Sequence, residues 1–256
     1  VMFTAYVPLK AHPLYYLGVV LFAVGAFIAV GLFFASLVVA KTERRYEGSL
    51  PLFTYGLMAA AVIAVFTLVG GVITFVPALL WSMGIFKQYD PGAYRVFFWA
   101  FGHPAQQVNL AAMVAIWYAL STLMVGAKPV NEKLSRVAFL LYILFINLGS
   151  IHHLLVDPGL HTADRILNTS YFFYLAVVGS MIHAFSIPAG IEIAQRAKGY
   201  THGIFQWLIK APWKEPGFSA LVISMVLFGF LGGVTGVLQG TMQLNILVHN
   251  TLRVPA

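Results

Sequence analysis

Six long apolar runs dominate this sequence, and charged residues are almost absent inside them. The hydrocarbon core of a bilayer is about 30 Å thick, so a helix that crosses it needs about 20 apolar residues. Lipid offers the backbone no hydrogen bonds, so only helices and closed barrels span a membrane. The runs are continuous and lack the apolar–polar alternation of barrel strands. We therefore predict an all-α, polytopic transmembrane helix bundle of about six spans, at 14–40, 52–81, 97–125, 134–155, 168–194 and 218–238.

The composition leaves room for little besides these spans. Of the 256 residues, 60% are hydrophobic and 9% are charged, whereas soluble domains are about 25% charged. We expect a single transmembrane domain over residues 1–256 that contacts membrane lipid. The sequence has no cysteine, which excludes disulfides, iron–sulfur clusters and a cysteine nucleophile within this chain. We interpret the net charge of +7 as basic cytoplasmic loops and expect no nucleic-acid partner.

The distribution of lysine and arginine predicts the membrane orientation. Ten of the fifteen basic residues follow the first, third or fifth run, namely Lys41, Arg44, Arg45, Lys128, Lys133, Arg136, Arg196, Lys198, Lys210 and Lys214. Loops rich in lysine and arginine remain in the cytoplasm. Both ends of this segment are therefore expected on the outer side of the membrane.

Three histidines fall at similar depth on two successive spans. His103 lies near the start of the third run, and His152 and His153 lie near the end of the fourth. Because the two spans run in opposite directions, the three imidazoles share the outer third of the bilayer, where they could bind one copper, zinc or iron ion. Helical neighbours point about 100° apart, so we expect Gly149 and the Asp-Pro-Gly at 157–159 to loosen the helix end. The alternative is that these histidines are hydrogen-bonded interior residues, which is the interpretation we favour for His183.

Three motifs resemble the catalytic subunit of the heme-copper oxidases. The run WAFGHP at 99–104 resembles its W-x-x-G-H-P motif, whose histidine binds the copper called CuB. His152 and His153, followed by Asp-Pro-Gly, resemble the paired CuB histidines in their B-type form. The run VHNT at 248–251 resembles the segment just before the family's heme-ligand motif. The six spans then match helices four to nine of the usual twelve, so the chain is expected to be the central part of a larger catalytic subunit whose heme ligands lie in other segments.

One departure from the family pattern changes the expected substrate. Oxygen reductases of the B-type branch carry a tyrosine four residues after the first CuB histidine, and here that position is Gln107. The tyrosine supplies one of the four electrons that cleave O₂, and a glutamine amide has no phenol to do this. Reduction of two NO to N₂O needs only two electrons. The pattern is therefore similar to the glutamine-bearing nitric oxide reductases, the eNOR type, which serve in denitrification.

The resemblance implies a set of roles and partners. His103, His152 and His153 would hold copper, with iron possible, Gln107 would act on bound NO, and His249 with Asn245 would lie near the heme propionates. Electrons would reach the site through another subunit from a cytochrome c, a cupredoxin or quinol, in a multi-pass protein of the cell's inner (plasma) membrane. The alternative function is a B-type cytochrome c oxidase that reduces O₂ to water. A more remote alternative is a metal transport or assembly subunit without redox chemistry.

Overall fold

The structure is a computed structural model that describes residues 8–248. These residues contain helices and no strand, which confirms the predicted all-α class. The α-helices in chain order are α1 (Pro13–Thr42), α2 (Leu52–Ser82), α3 (Pro91–Val125), α4 (Glu132–Leu141), α5 (Thr162–Leu167), α6 (Phe173–Ala197), α7 (Gln206–Ile209), α8 (Pro216–Ser224), α9 (Gly233–Gly240) and α10 (Met242–Val248).

Five of the six predicted spans are helices long and apolar enough to cross a membrane. They are Pro13–Thr42, Leu52–Ser82, Pro91–Val125, Thr162–Ala197 and Pro216–Gly240, and the last two each contain a π-helical stretch, at Asn168–Phe172 and Met225–Gly232. The run at 134–155 is also helical, but its geometry changes twice. It passes from α4 into a π-helix at Tyr142–Ile146 and ends as a 3₁₀ helix at Gly149–Leu154. The sequence predicted that this run is apolar and helical, but it did not predict these changes of helix type.

The third span begins earlier than the predicted position 97. Helix α3 starts at Pro91, where Asp90 caps it by accepting a hydrogen bond from the backbone of Ala93 (2.7 Å). Aspartate followed by proline is a common helix start. The carboxylate accepts a hydrogen bond from one of the unpaired N–H groups of the first turn, and proline has no N–H that would be left unpaired there. The hydrophobicity pattern placed the start of the span after the charged Arg95, whereas the helix begins at the Asp-Pro signal before it. His103 therefore lies three turns into α3.

Small residues bring α2 and α3 into close contact. Gly70 packs against the backbone of Ala100, and a Cβ added to Gly70 would lie 2.9 Å from the Ala100 carbonyl oxygen. Gly71 faces the ring of Phe101 in the same way. Membrane helices associate largely through such close backbone approach, because lipid removes the hydrophobic drive between them. This contact fixes the segment of α3 that precedes His103.

Contacts at the two ends of the bundle hold the loops in register. At one end Arg136, near the start of α4, donates to the Leu50 carbonyl, so the connections that follow α1 and α3 lie at the same end of the bundle. At the other end Arg95 pairs with Asp157, which follows the paired histidines. The side of the membrane that each end faces stays a prediction.

Candidate metal centre

The structure brings His103, His152 and His153 together between α3 and the 3₁₀ helix. All three are buried, and one ring nitrogen of each lies within 4.8 Å of the others. Nδ1 of His103 and Nε2 of His153 are 3.3 Å apart. Within residues 8–248, this is the one group of three histidine or carboxylate side chains placed to hold a single ion. The convergence expected from matched depth is therefore confirmed, while the role of the three as ligands stays a prediction.

Two neighbouring histidines face one site, although they lie on a segment of 3₁₀ helix. His152 and His153 lie in the 3₁₀ helix Gly149–Leu154, and their ring centroids are 4.0 Å apart. Successive residues of a 3₁₀ helix point about 120° apart, so the convergence of the two rings depends on the side-chain orientations and not on the helix type. The helix was expected to loosen at Gly149; it does leave the α geometry there, but for a tighter 3₁₀ helix. A Cβ on Gly149 would lie 3.7 Å from Nε2 of His103, so glycine also leaves space beside that ring.

Two contacts orient the rings of the pair. Nδ1 of His152 lies 2.8 Å from the carbonyl oxygen of Gly149, so it donates there and leaves Nε2 as the ligand atom. The indole of Trp99 stacks on the imidazole of His153, with ring centroids 3.7 Å apart and planes 2° from parallel. Trp99 lies one turn before His103 on α3, so one helix supplies both a ring of the cluster and a support for another.

The chemistry of the cluster fits copper. It consists of three imidazoles in a buried site, and no carboxylate belongs to it among the described residues. Imidazole suits copper, iron and zinc, whereas non-heme iron sites usually add a carboxylate. Asp157, the nearest acidic residue along the chain, is instead committed to Arg95 through a two-point ion pair of 2.5 and 2.8 Å.

The other predicted site residues lie as follows. Gln107 is half-buried on α3, one turn after His103. Asn245 is fully buried and donates from Nδ2 to the backbone carbonyl of His152 (3.0 Å). His249 lies outside the described residues. The contact between Asn245 and His152 was missed by the sequence analysis, because nothing in a pattern links positions 93 residues apart.

His183 does not join the metal cluster. It is buried on α6, and its Nδ1 lies 3.0 Å from the hydroxyl of Tyr118, which also contacts Ser135 (2.9 Å). A hydrogen-bonded interior histidine was the interpretation favoured for this residue, and the structure confirms it.

The chain is similar to known proteins over its whole length. Residues 1–256 match the family described as cytochrome c and quinol oxidase polypeptide I. The chain is 32% identical over 262 residues to cytochrome c oxidase subunit 1 of Thermus thermophilus, covering 100% of this chain and 45% of the relative. It also resembles a cryo-EM structure of a heme-copper terminal oxidase dimer, with a TM-score of 0.89 and 28% identity, over 99% of this chain and 45% of that one.

The chain thus spans about half the length of the relatives it matches. Its three buried histidines and its match over all 256 residues lead to the same conclusion. The chain belongs to the heme-copper oxidase subunit I family, whose members bind heme and copper.

Proposed function

We propose that this chain forms the copper-binding part of the catalytic subunit of a terminal oxidase that reduces dioxygen to water. The observation that carries the proposal is the buried cluster of three histidines in a chain of the subunit I family. The similar proteins are oxidases, so the comparisons favour oxygen reduction over the nitric oxide reductase that the sequence analysis preferred. The similarity to the Thermus subunit also supports the B-type resemblance of the histidine motifs.

The residues around the histidine cluster hold its rings in place and shield them from water. His103, His152 and His153 would hold the copper, which supplies one-electron redox chemistry beside the heme when bound. The Gly149 carbonyl fixes the tautomer of His152, and Trp99 covers one face of His153 and keeps water from it. Burial of all three rings favours the neutral imidazoles that metal binding requires.

The proposal places the site in a larger assembly. Following the family resemblance, other segments of the subunit would ligate the heme, and a further subunit would deliver electrons from a cytochrome c, a cupredoxin or quinol. The five long apolar helices fit a multi-pass protein of the plasma membrane. The basic loops would face the cytoplasm, which puts the histidine cluster nearer the outer side.

Nitric oxide reduction is a second candidate, favoured by Gln107. This side chain follows His103 by one helical turn, the position where oxygen reductases of the B-type branch carry tyrosine, and it is half-buried. Its amide donates hydrogen bonds but has no hydroxyl hydrogen to give up. Such a donor stabilises negative charge that develops on a bound molecule, which suits NO more than the cleavage of O₂.

The two candidates are separated by turnover of the complete purified complex. With an excess of reductant, an oxygen electrode and an NO electrode measure consumption of each gas, and gas chromatography measures N₂O. The proposal predicts fast oxygen consumption with little N₂O from NO. Fast N₂O formation with slow oxygen consumption would replace it with the nitric oxide reductase.

A further inference from the structure

The segment that carries the paired histidines has two backbone carbonyls that accept hydrogen bonds from side chains of other elements. The chain passes from the π-helix Tyr142–Ile146 to the 3₁₀ helix Gly149–Leu154 within a few residues. Each change of helix type shifts the pairing of N–H and C=O groups, and a carbonyl oxygen, with two lone pairs, can accept a side-chain donor besides its helical one. Two such oxygens, those of Leu148 and His152, receive hydrogen bonds from buried asparagine side chains.

The first asparagine, Asn245, approaches from α10. Its Nδ2 donates to the carbonyl oxygen of His152 at 3.0 Å and to that of Gln239 at 2.7 Å, and the residue is 0% exposed. Both partners are carbonyl oxygens, so the amide has one acceptable orientation, since a flip would face oxygen to oxygen. A helix remote in sequence thus holds the backbone of a candidate ligand.

The second asparagine, Asn168, approaches from the opposite end of the loop that follows the histidines. It is the first residue of the π-helix Asn168–Phe172, is 0% exposed, and donates from Nδ2 to the carbonyl oxygen of Leu148 at 3.3 Å. Leu148 immediately precedes Gly149, where the 3₁₀ helix begins. In Asn168 and Asn245 alike, Oδ1 is buried without a hydrogen-bond partner among the described residues, so each amide contributes through its donors alone.

We propose that Asn168 and Asn245 form an amide clamp that positions His152 and His153 for metal binding. Asn168 fixes the start of the 3₁₀ helix, and Asn245 fixes the carbonyl of the first ligand within it. This inference rests on the proposed metal site. The ligand atoms of a metal site have to be held to within about 0.5 Å of their working positions. A short 3₁₀ helix therefore needs hydrogen bonds from neighbouring elements to fix its backbone.

Asn147 supplies a matched control in the same segment. It lies one residue before Leu148, but its Nδ2 donates to the carbonyl oxygen of Ile143 (2.7 Å), four residues earlier in its own helix. It is therefore the same residue type at nearly the same place, with a bond that does not tie the histidines to another element. Loss of that bond affects the helix and not the clamp.

The test uses the complete complex with Asn245→Leu, Asn168→Leu, the double variant and Asn147→Leu. Copper per heme is measured by elemental analysis, and the rate of copper loss to a chelator is measured alongside it. The infrared stretch of carbon monoxide bound to Cu(I) reports the ligand geometry, which a general loss of stability does not shift. Residues behind metal ligands typically change affinity by about 10–100-fold, so each clamp variant is expected to lose copper about tenfold faster and to shift or broaden the carbon monoxide band.

The control is expected to keep the wild-type rate and band. Unchanged copper loss and an unchanged band in Asn245→Leu and Asn168→Leu would overturn the clamp alone, whereas a wild-type complex without copper would overturn the metal site and the clamp together. If Asn245→Leu does not assemble, Asn245→Ser replaces it, because serine is smaller and its hydroxyl cannot reach both carbonyls. Wild-type copper loss and band in Asn245→Ser would also overturn the clamp.

Discussion

The two histidines of the 3₁₀ helix give the most direct test of the metal centre. Replacing either His152 or His153 by alanine removes one of three ligands from a buried cluster, so we expect the complex to lose most of its copper and nearly all of its activity. Elemental analysis of the purified variants measures this. His161→Ala is the control, because His161 is exposed in the loop that follows the pair. Full copper retention in both variants would show that the cluster is not the copper site.

Gln107 tests the choice between the two gases. If the amide stabilises charge on bound NO, Gln107→Ala should lower NO turnover by about 10²-fold, the usual effect of removing one such donor. Oxygen turnover should not depend on this donor to the same extent, so the ratio of the two rates should change. Gln106→Ala is a control, because its neighbour Gln106 is exposed. Equal effects of both variants on NO turnover would remove the argument for a nitric oxide reductase.

At the residue scale, the sequence predicts the convergence of the three histidines better than the contacts that support them. His103, His152 and His153 were predicted because alternating helix direction places them at one depth, an argument that needs only span boundaries. Asn168 and Asn245 donate to backbone carbonyls. Every residue has such a carbonyl, so the residue types in a sequence do not show which one is bound. The stacking of Trp99 on His153 was equally hidden, since it depends on how α3 and the 3₁₀ helix cross.

At the element scale, the close approach of α2 and α3 depends on glycine. A Cβ at position 70 would lie 2.9 Å from a backbone oxygen that cannot move aside, so Gly70→Ala should destabilise the packing by about 1–3 kcal/mol, the usual cost of overpacking. Thermal stability of the complex, followed through loss of the heme spectrum, checks this. Gly25→Ala on α1 is the control, because nothing lies within 4 Å of its Cβ position. Equal melting temperatures for the two variants would contradict the packing argument.

The ion pair between Arg95 and Asp157 ties α3 to the loop after the histidines. The two side chains are only 15% and 20% exposed, so Arg95→Gln or Asp157→Asn should each destabilise the complex by about 1–3 kcal/mol, less than for a fully buried pair. The double variant should cost less than the sum of the two, because they remove one interaction. The exposed pair of Arg45 and Glu43 is the control, and its loss should change stability by less than about 1 kcal/mol. Strict additivity at Arg95 and Asp157 would show that the pair is not coupled.

Helix existence was predictable from hydrophobicity, while helix type was not. The six apolar runs all became helices, but the π and 3₁₀ stretches of the fourth run have no counterpart in its hydrophobicity pattern. The early start of α3 did have a local signal, Asp90 before Pro91, which a pattern based on hydrophobicity alone overlooks. The segment whose geometry was least predictable is the one that carries two of the three histidines.

At the scale of the whole molecule, much apolar surface stays exposed. The most apolar window of α1 has no buried residue, and only 6% of that of Pro216–Gly240 is buried. In a helix that crosses a membrane, lipid covers such a surface at no cost, because the lipid tails are as apolar as the side chains. The three histidines lie instead where α3 and the end of the fourth run are packed closely, so all three side chains of the proposed copper site come from one well-packed region.

The orientation of the whole bundle is the last prediction, and it follows from the charge distribution. Ten of the fifteen basic residues follow the first, third or fifth predicted run, and the bond from Arg136 to the Leu50 carbonyl places two of these connections at one end of the bundle. Single cysteines at Thr42 and Thr201 should therefore react with a membrane-impermeant maleimide from the cytoplasmic side only, and one at Gln88 from the outer side only. All three positions are exposed, and the chain has no cysteine of its own, so it adds no background labelling. Right-side-out vesicles that contain the complete complex expose the outer side to the reagent, and inverted vesicles expose the cytoplasmic side. Labelling from the reverse sides would invert the bundle and move the histidine cluster to the cytoplasmic half of the membrane.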